Sequence, residues 1–148
     1  EGATSALSLK MKQLTHDLNV TISNDVSVNS GYAVLNGVAS SVNLKTGESS
    51  GSEDAVTEVR ITTNAKGEQE ITVPFRLLGL DKSATHTLTI YLSLADGTSK
   101  TIVTDLSSYL SNFGQTTAPL NIASGVALSS IMSGVNNWQV VNAGTIKL

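Results

Sequence analysis

The chain contains no cysteine in 148 residues, which excludes disulfides, thiolate metal sites and thiol catalysis together. Proline occurs only twice, at Pro74 and Pro119, and arginine only twice, at Arg60 and Arg76. Aromatic residues make up 4% and charged residues 14%, so core filling falls to Val, Leu and Ile. With a formal net charge of −3 and no Lys/Arg stripe, the chain lacks a surface that neutralises phosphates, which argues against nucleic-acid binding. No apolar run approaches the roughly 20 residues of a membrane-spanning helix. The opening EGATSALSLK has neither the basic start nor the continuous apolar stretch of a signal peptide. An exported protein would have lost its signal ahead of Glu1.

What is abundant is hydroxyl: 20 Ser and 17 Thr, a quarter of the chain. Threonine suits a pleated, half-exposed surface and serine suits turns. Few charges with many hydroxyls are common on extracellular bacterial β proteins. The length fits one domain over residues 1–148, with the first six residues frayed.

Period-2 alternation dominates. Leu14, His16, Leu18, Val20 and Ile22 share one parity, while Leu7, Leu9 and Met11 sit on the other, which calls for a bulge near Lys12–Gln13. GYAVL reads as a short strand after a connection over 23–31, and EVRITT as another. ITVPFRLLGL alternates at Ile71, Val73, Phe75 and Leu77, and Pro74 places this strand at an edge or a bulge because it cannot donate to a ladder. In HTLTIYLSLADGTSKTIVTDL, Leu88, Ile90, Leu92 and Leu94 face one way, and Thr87, Thr89, Tyr91 and Ser93 the other. Asp96-Gly97 turns this unit into a hairpin. Asp105 then caps a short helix near 105–113, with Leu106, Tyr109, Leu110 and Phe113 at helical spacing. PLNIASGVAL and NNWQVVNAGTIKL supply the last strands. The expectation is an all-β fold, a single two-sheet β-sandwich of about seven strands with one short helix. The thirteen residues LNGVASSVNLKTG are expected to cross between the sheets, anchored by Val38, Val42 and Leu44.

Candidate chemistry is sparse. GESSG, Gly47 to Gly51, matches the G-x-S-x-G elbow formally, but a polar loop follows where a helix is needed. His16 lies on an apolar face as a packed histidine, and His86 at a strand start is expected to be exposed. Glu48, Glu53 and Asp54 lack the alternating oxygen ligands of a calcium loop. Asn19-Val20-Thr21 is a glycosylation sequon lying within a strand. Trp138, after Asn136-Asn137, is the one weak ligand-binding candidate, either a sugar-stacking platform or a plug at one end of the core. No catalytic, metal or cofactor residues are assigned, and the chain is expected not to be an enzyme.

The order of segments is more informative than any one residue. LKMKQLTHDLNVTI, then YAVLNGVASSVNLKTG, ITVPFRLLGL, TLTIYLSLADGTSK, DLSSYL and NNWQVVNAGTIKL together resemble the fimbrillin-like superfamily of Bacteroides-type bacteria. The likeness is to the C-terminal domain of accessory or anchoring fimbrial subunits, over residues 9–148. It implies transthyretin-like sandwiches of Greek-key type in an exported structural subunit, usually one of two domains, carried to the outer membrane and assembled into surface fimbriae. Any lipid-bearing cysteine would lie upstream. The implied partners are other fimbrial subunits or surface proteins, joined by β-strand addition, and a host or glycan receptor. Strand exchange in such pili often follows cleavage at arginine, whereas Arg60 and Arg76 lie in expected strands. The Pro74 strand and terminal GTIKL are the candidate edges. The rival reading is a cell-surface carbohydrate-binding module using Trp138.

Overall fold

Alternation becomes architecture through burial. Leu18, Val20 and Ile22 on the first strand are wholly buried, as are Ile71 and Val73 and, on the facing sheet, Ala33, Leu35, Leu88 and Ile90. At about 1.5–3 kcal/mol for each fully buried aliphatic side chain, this single cluster is the main source of stability. The computed structural model describes residues 15–46, 48–63, 65–111, 113, 118–132 and 138–141.

The elements in chain order are β1 (His16–Ser23), β2 (Val28–Val38), β3 (Ser41–Val42), β4 (Ser49–Ser50), β5 (Glu53–Glu58), β6 (Arg60–Thr63), β7 (Gln69–Leu77), β8 (Thr87–Leu94) and β9 (Ser99–Asp105). A 3₁₀ turn at Ser107–Tyr109, β10 (Leu120–Ser124), α1 (Leu128–Met132) and β11 (Trp138–Val141) follow. One sheet has the order β11-β10-β1-β7-β6 and the other β5-β2-β8-β9, with β3 and β4 as a separate ribbon. β1 and β10 pair in parallel, and the other neighbours are antiparallel. The protein is an all-β sandwich.

Several expectations change in detail. LNGVASSVNLKTG does not cross between sheets. Its first residues finish β2 through a register shift between Leu35 and Val38, and Ser41 to Thr46 supply β3 and the turn towards β4, with which β3 forms a ribbon. Val38 is buried, but Leu44 is 65% exposed at the ribbon tip and anchors nothing. The crossing comes later, at Val59. Its amide donates to the Gly31 carbonyl (2.9 Å) as the last link to β2, and Arg60 then begins pairing with β7. A single stretch, 53–63, thus serves as the edge of both sheets.

β7 is not an edge strand, since it lies between β1 and β6. The proline rule is nevertheless obeyed locally. Pairing with β6 ends at Thr72, so at Pro74 the described residues offer no strand on that side to receive a missing N–H. The β8–β9 turn differs from a two-residue turn as well. Only Gly97 has positive φ, at 90°, and its amide donates to the Leu94 carbonyl, the pattern of a type I turn closed by a left-handed glycine. The segment near 105–113 winds only one 3₁₀ turn, opened by Asp105 Oδ1 accepting from the Ser107 amide (2.9 Å). Leu106 and Leu110 carry it into the core. The α-helical turn falls instead at Leu128–Met132, within and just past a segment read as strand. The possible bulge at Lys12–Gln13, the first six residues and GTIKL lie outside the described residues.

Candidate interaction edges

A sandwich has two long sides, and here they are built differently. On one side the backbone itself joins β5 to β6, so both edges there belong to one continuous segment. On the other side β9 and β11 are the outermost described strands of their sheets. They are linked by side chains: Trp138 Nε1 donates to Thr104 Oγ1 (3.1 Å), with both residues buried. The indole needs a partner when its ring is dry, and the inward Thr104 hydroxyl supplies one. α1 packs against β9 and the 3₁₀ turn against β11. The Thr104 end of β9 is therefore covered, whereas Ser99, Lys100, Thr101 and Val103 are exposed. That outer half of β9 is the clearest open edge among the described residues, presenting backbone groups that a further strand could pair.

The candidate residues fall into place around this frame. Trp138 is 5% exposed, so its ring face meets the core and offers no platform to a sugar in solvent. Asn136 and Asn137 lie outside the described residues. Ser49 sits in a two-residue strand paired with Val42, and the chain then turns at Gly51 with φ 82° into β5. No helix leaves this serine, so the backbone of a nucleophile elbow is not formed; Gly47 is outside the described residues. Ser41 and Ser50 hydroxyls lie 2.9 Å apart, binding the ribbon to itself.

His16 meets Phe113 edge-on with ring centroids 5.9 Å apart, and its Nδ1 is buried without a partner among the described residues. His86 is buried rather than exposed, contrary to expectation. It lies under the 79–86 loop, with Nε2 3.0 Å from the Asp81 carbonyl oxygen and its backbone amide donating to Ser107 Oγ. Glu48, Glu53 and Asp54 are spread along the ribbon and β5, and Asp54 accepts from the Asn36 amide (2.7 Å). Among the described residues no three His, Asp or Glu side chains come together as a metal site. Asn19 sits mid-sheet, donating to Asn121 Oδ1 (3.1 Å). Arg76 lies in β7 with Asp17 (3.0 Å), and Arg60 opens β6. Neither arginine lies in a loop of the kind proteolysis favours.

Two features escaped the sequence. Asp25 accepts from both the amide and the hydroxyl of Ser129, tying the β1–β2 connection to α1 across 104 positions, which no local pattern encodes. Tyr32 and Tyr91 stack on the outer face of the four-stranded sheet. Their polar parity in GYAVL and TLTIYLSL placed both on an outer face, but their pairing depends on the β2–β8 register.

Residues 1–144 match the family of fimbrillin-A associated anchor proteins Mfa1 and Mfa2. The chain belongs to that family. A similar fold is seen in the crystal structure of a candidate adhesin from Bacteroides ovatus ATCC 8483. The TM-score is 0.52 and the identity 9%, over 78% of this chain and 46% of that one. This chain thus spans less than half the length of that protein, and the likeness concerns fold alone. A search of curated proteins found no match. No helix among the described residues is long and apolar enough to cross a membrane.

Proposed function

We propose that this chain is a non-catalytic accessory subunit of surface fimbriae, exported and working by protein–protein contact. The observation that carries it is the family match across nearly the whole chain, residues 1–144, joined to a sandwich with an open strand edge. In this reading the sandwich is one of two domains of an outer-membrane-associated subunit, consistent with its covering 46% of the Bacteroides ovatus chain. The outer half of β9 receives a strand from a neighbouring subunit. Main-chain bonds supply affinity there, and alternate side-chain pockets supply selectivity.

The absence of cysteine makes a single introduced thiol a unique handle. A photocrosslinker on Lys100→Cys in β9 is expected to capture a neighbouring subunit in intact filaments, and one on Thr72→Cys in the middle of β7 is not. Antibodies to the domain should decorate the filaments. Filaments that are never decorated, together with unchanged assembly and adhesion after deletion, would overturn the fimbrial reading. Decorated filaments without a β9 crosslink would overturn only the edge assignment.

A further inference from the structure

The outer faces of the two sheets differ in chemistry. On the five-stranded sheet the outward register places Asp17 opposite Arg76 and Asn19 beside Asn121, a mainly polar surface broken by Pro74, Ala123 and Val141. On the four-stranded sheet the register builds three parallel rows. Val56, Val34, Thr89 and Val103 form the first, and Glu58, Tyr32, Tyr91 and Thr101 the second. Ser30, Ser93 and Ser99 form the third. Apolar side chains thus flank the tyrosines on one side and hydroxyls on the other.

Tyr32 and Tyr91 are 46% and 38% exposed, with ring centroids 4.7 Å apart and planes inclined by 24°. Stacking on each other fixes both rings, so little side-chain entropy remains to be lost when something settles on them. Beside them opens a cleft of about 700 Å³ that reaches the serine row and is bounded by Ile61, where the chain has passed into the other sheet. That volume lies within the usual range for small-molecule sites.

We propose that this cleft binds a neutral saccharide, with one sugar ring against the tyrosine pair and its hydroxyls on the serine row and Glu58. A pyranose has an apolar C–H face and a hydroxyl rim, and the rows reproduce that division. Aromatic rings offer the complementary apolar face. Rows two residues apart along a strand are separated by about 7 Å, close to the span of one sugar ring. Serine hydroxyls both donate and accept, and a carboxylate accepts from hydroxyl pairs. Glu58 and Lys100 both line the cleft and leave it without net charge, which favours a neutral ligand. A protein docking on this face would draw instead on the valine row, where Val56 and Val103 are 66% and 60% exposed.

The proposal goes beyond the fimbrial reading and stands or falls separately from it, because its test needs no filament. The chain has three tyrosines, Tyr32, Tyr91 and Tyr109, so ring-labelled tyrosine gives two reporters in the cleft and one internal control at the 3₁₀ turn. The probes are an array of neutral and sialylated oligosaccharides, followed by NMR titration with the array hits and with maltotriose, cellobiose and N-acetyllactosamine. Neutral sugars should shift Tyr32 and Tyr91 but not Tyr109, with affinity in the millimolar range. Tyr91→Ala should weaken binding about tenfold or more while leaving the Tyr109 signal unchanged, and Tyr91→Phe should bind nearly as well. Val103→Thr should bind as the parent does. No neutral sugar bound on the array or in titration, unchanged binding in Tyr91→Ala, or a preference for sialylated over neutral glycans would overturn it. So would loss of binding in Val103→Thr, which would mark the valine row as the contact.

Discussion

Three aspartates hold their own turns by one device, each accepting from a Ser or Thr two positions on: Asp81 from Ser83, Asp96 from Thr98 and Asp105 from Ser107. Asp25 does the same with Ser129 across the fold. In all four these bonds hold the carboxyl below its ordinary value, the side-chain hydroxyl first, except that burial works weakly the other way. Because the folded pKa is lowered, this stability is fully present above the ordinary carboxylate range and is lost as pH falls through the lowered values. The unfolding midpoint should therefore hold level from neutrality down to about pH 5 and drop below about pH 4. Asp25→Asn should cost about 0.5–1 kcal/mol at neutral pH, a small figure because solvent screens the site. Its gap to the parent should close in thermal melts run at progressively lower pH. A gap that stays constant would show that the charge contributes nothing.

Two glycines of similar torsion separate strain from crowding. Gly37 has φ 73° and an added Cβ there would come within 3.0 Å of Ala84 Cβ and His86 Cδ2. Gly97 has φ 90° with nothing within 4 Å. Gly97→Ala should cost about 1 kcal/mol from backbone strain alone, and Gly37→Ala clearly more, measured by denaturant unfolding. The turn role of Gly97 is legible in ADGTS. The crowding at Gly37 is not, because the 84–86 segment that presses on it is some fifty positions away.

At the scale of elements, strands with clean alternation were legible, since Leu88 to Leu94 and Ile71 to Leu77 bury the residues their parity predicts. Places where pairing partners decide the outcome were not. Val28–Gly31 looks like a connection, yet β8 extends it into strand. Glu53 and Asp54 look like loop, yet β2 captures the segment from Glu53 onward. The Trp138–Thr104 bond joins the two sheets on their open side, and its worth can be measured. Thr104→Val keeps shape but leaves the buried indole N–H unpaired, an expected loss of about 1–3 kcal/mol. In a double-mutant cycle with Trp138→Phe the losses should fall well short of adding. Additive losses would mean the bond does not couple the sheets.

At the scale of the whole molecule, the sandwich class followed from period-2 patterning, and family membership from the order of segments. The surfaces did not follow, because which strands end up outermost depends on pairing across long separations. Pro74 illustrates the gap: its chemistry marks a strand with no partner on its nitrogen side, and on the β6 side it has none, yet it pairs with Asn19 of β1 and the strand as a whole is internal. The open half of β9 and the tyrosine cleft adjoin through Ser99, Lys100 and Thr101, which belong to both. Occupancy of one can therefore be sensed at the other. Saccharide titration of a β9 adduct attached through Val103→Cys, outside the cleft lining, should give altered Tyr91 shifts relative to the same labelled domain without its partner, and identical shifts would show the two surfaces to be independent.

The passage of one strand through Val59 from sheet to sheet has a mechanical consequence. Two sheets held together only by side-chain packing can be peeled apart under load. Here the chain changes sheet four times, but only between β5 and β6 does it do so with a single residue, Val59, between the strands, so a pull on one sheet reaches the other most directly there. Under load, the 53–63 strand is the stiff spine of the sandwich, and the longer connections between the other strands are where the sheets have slack to part.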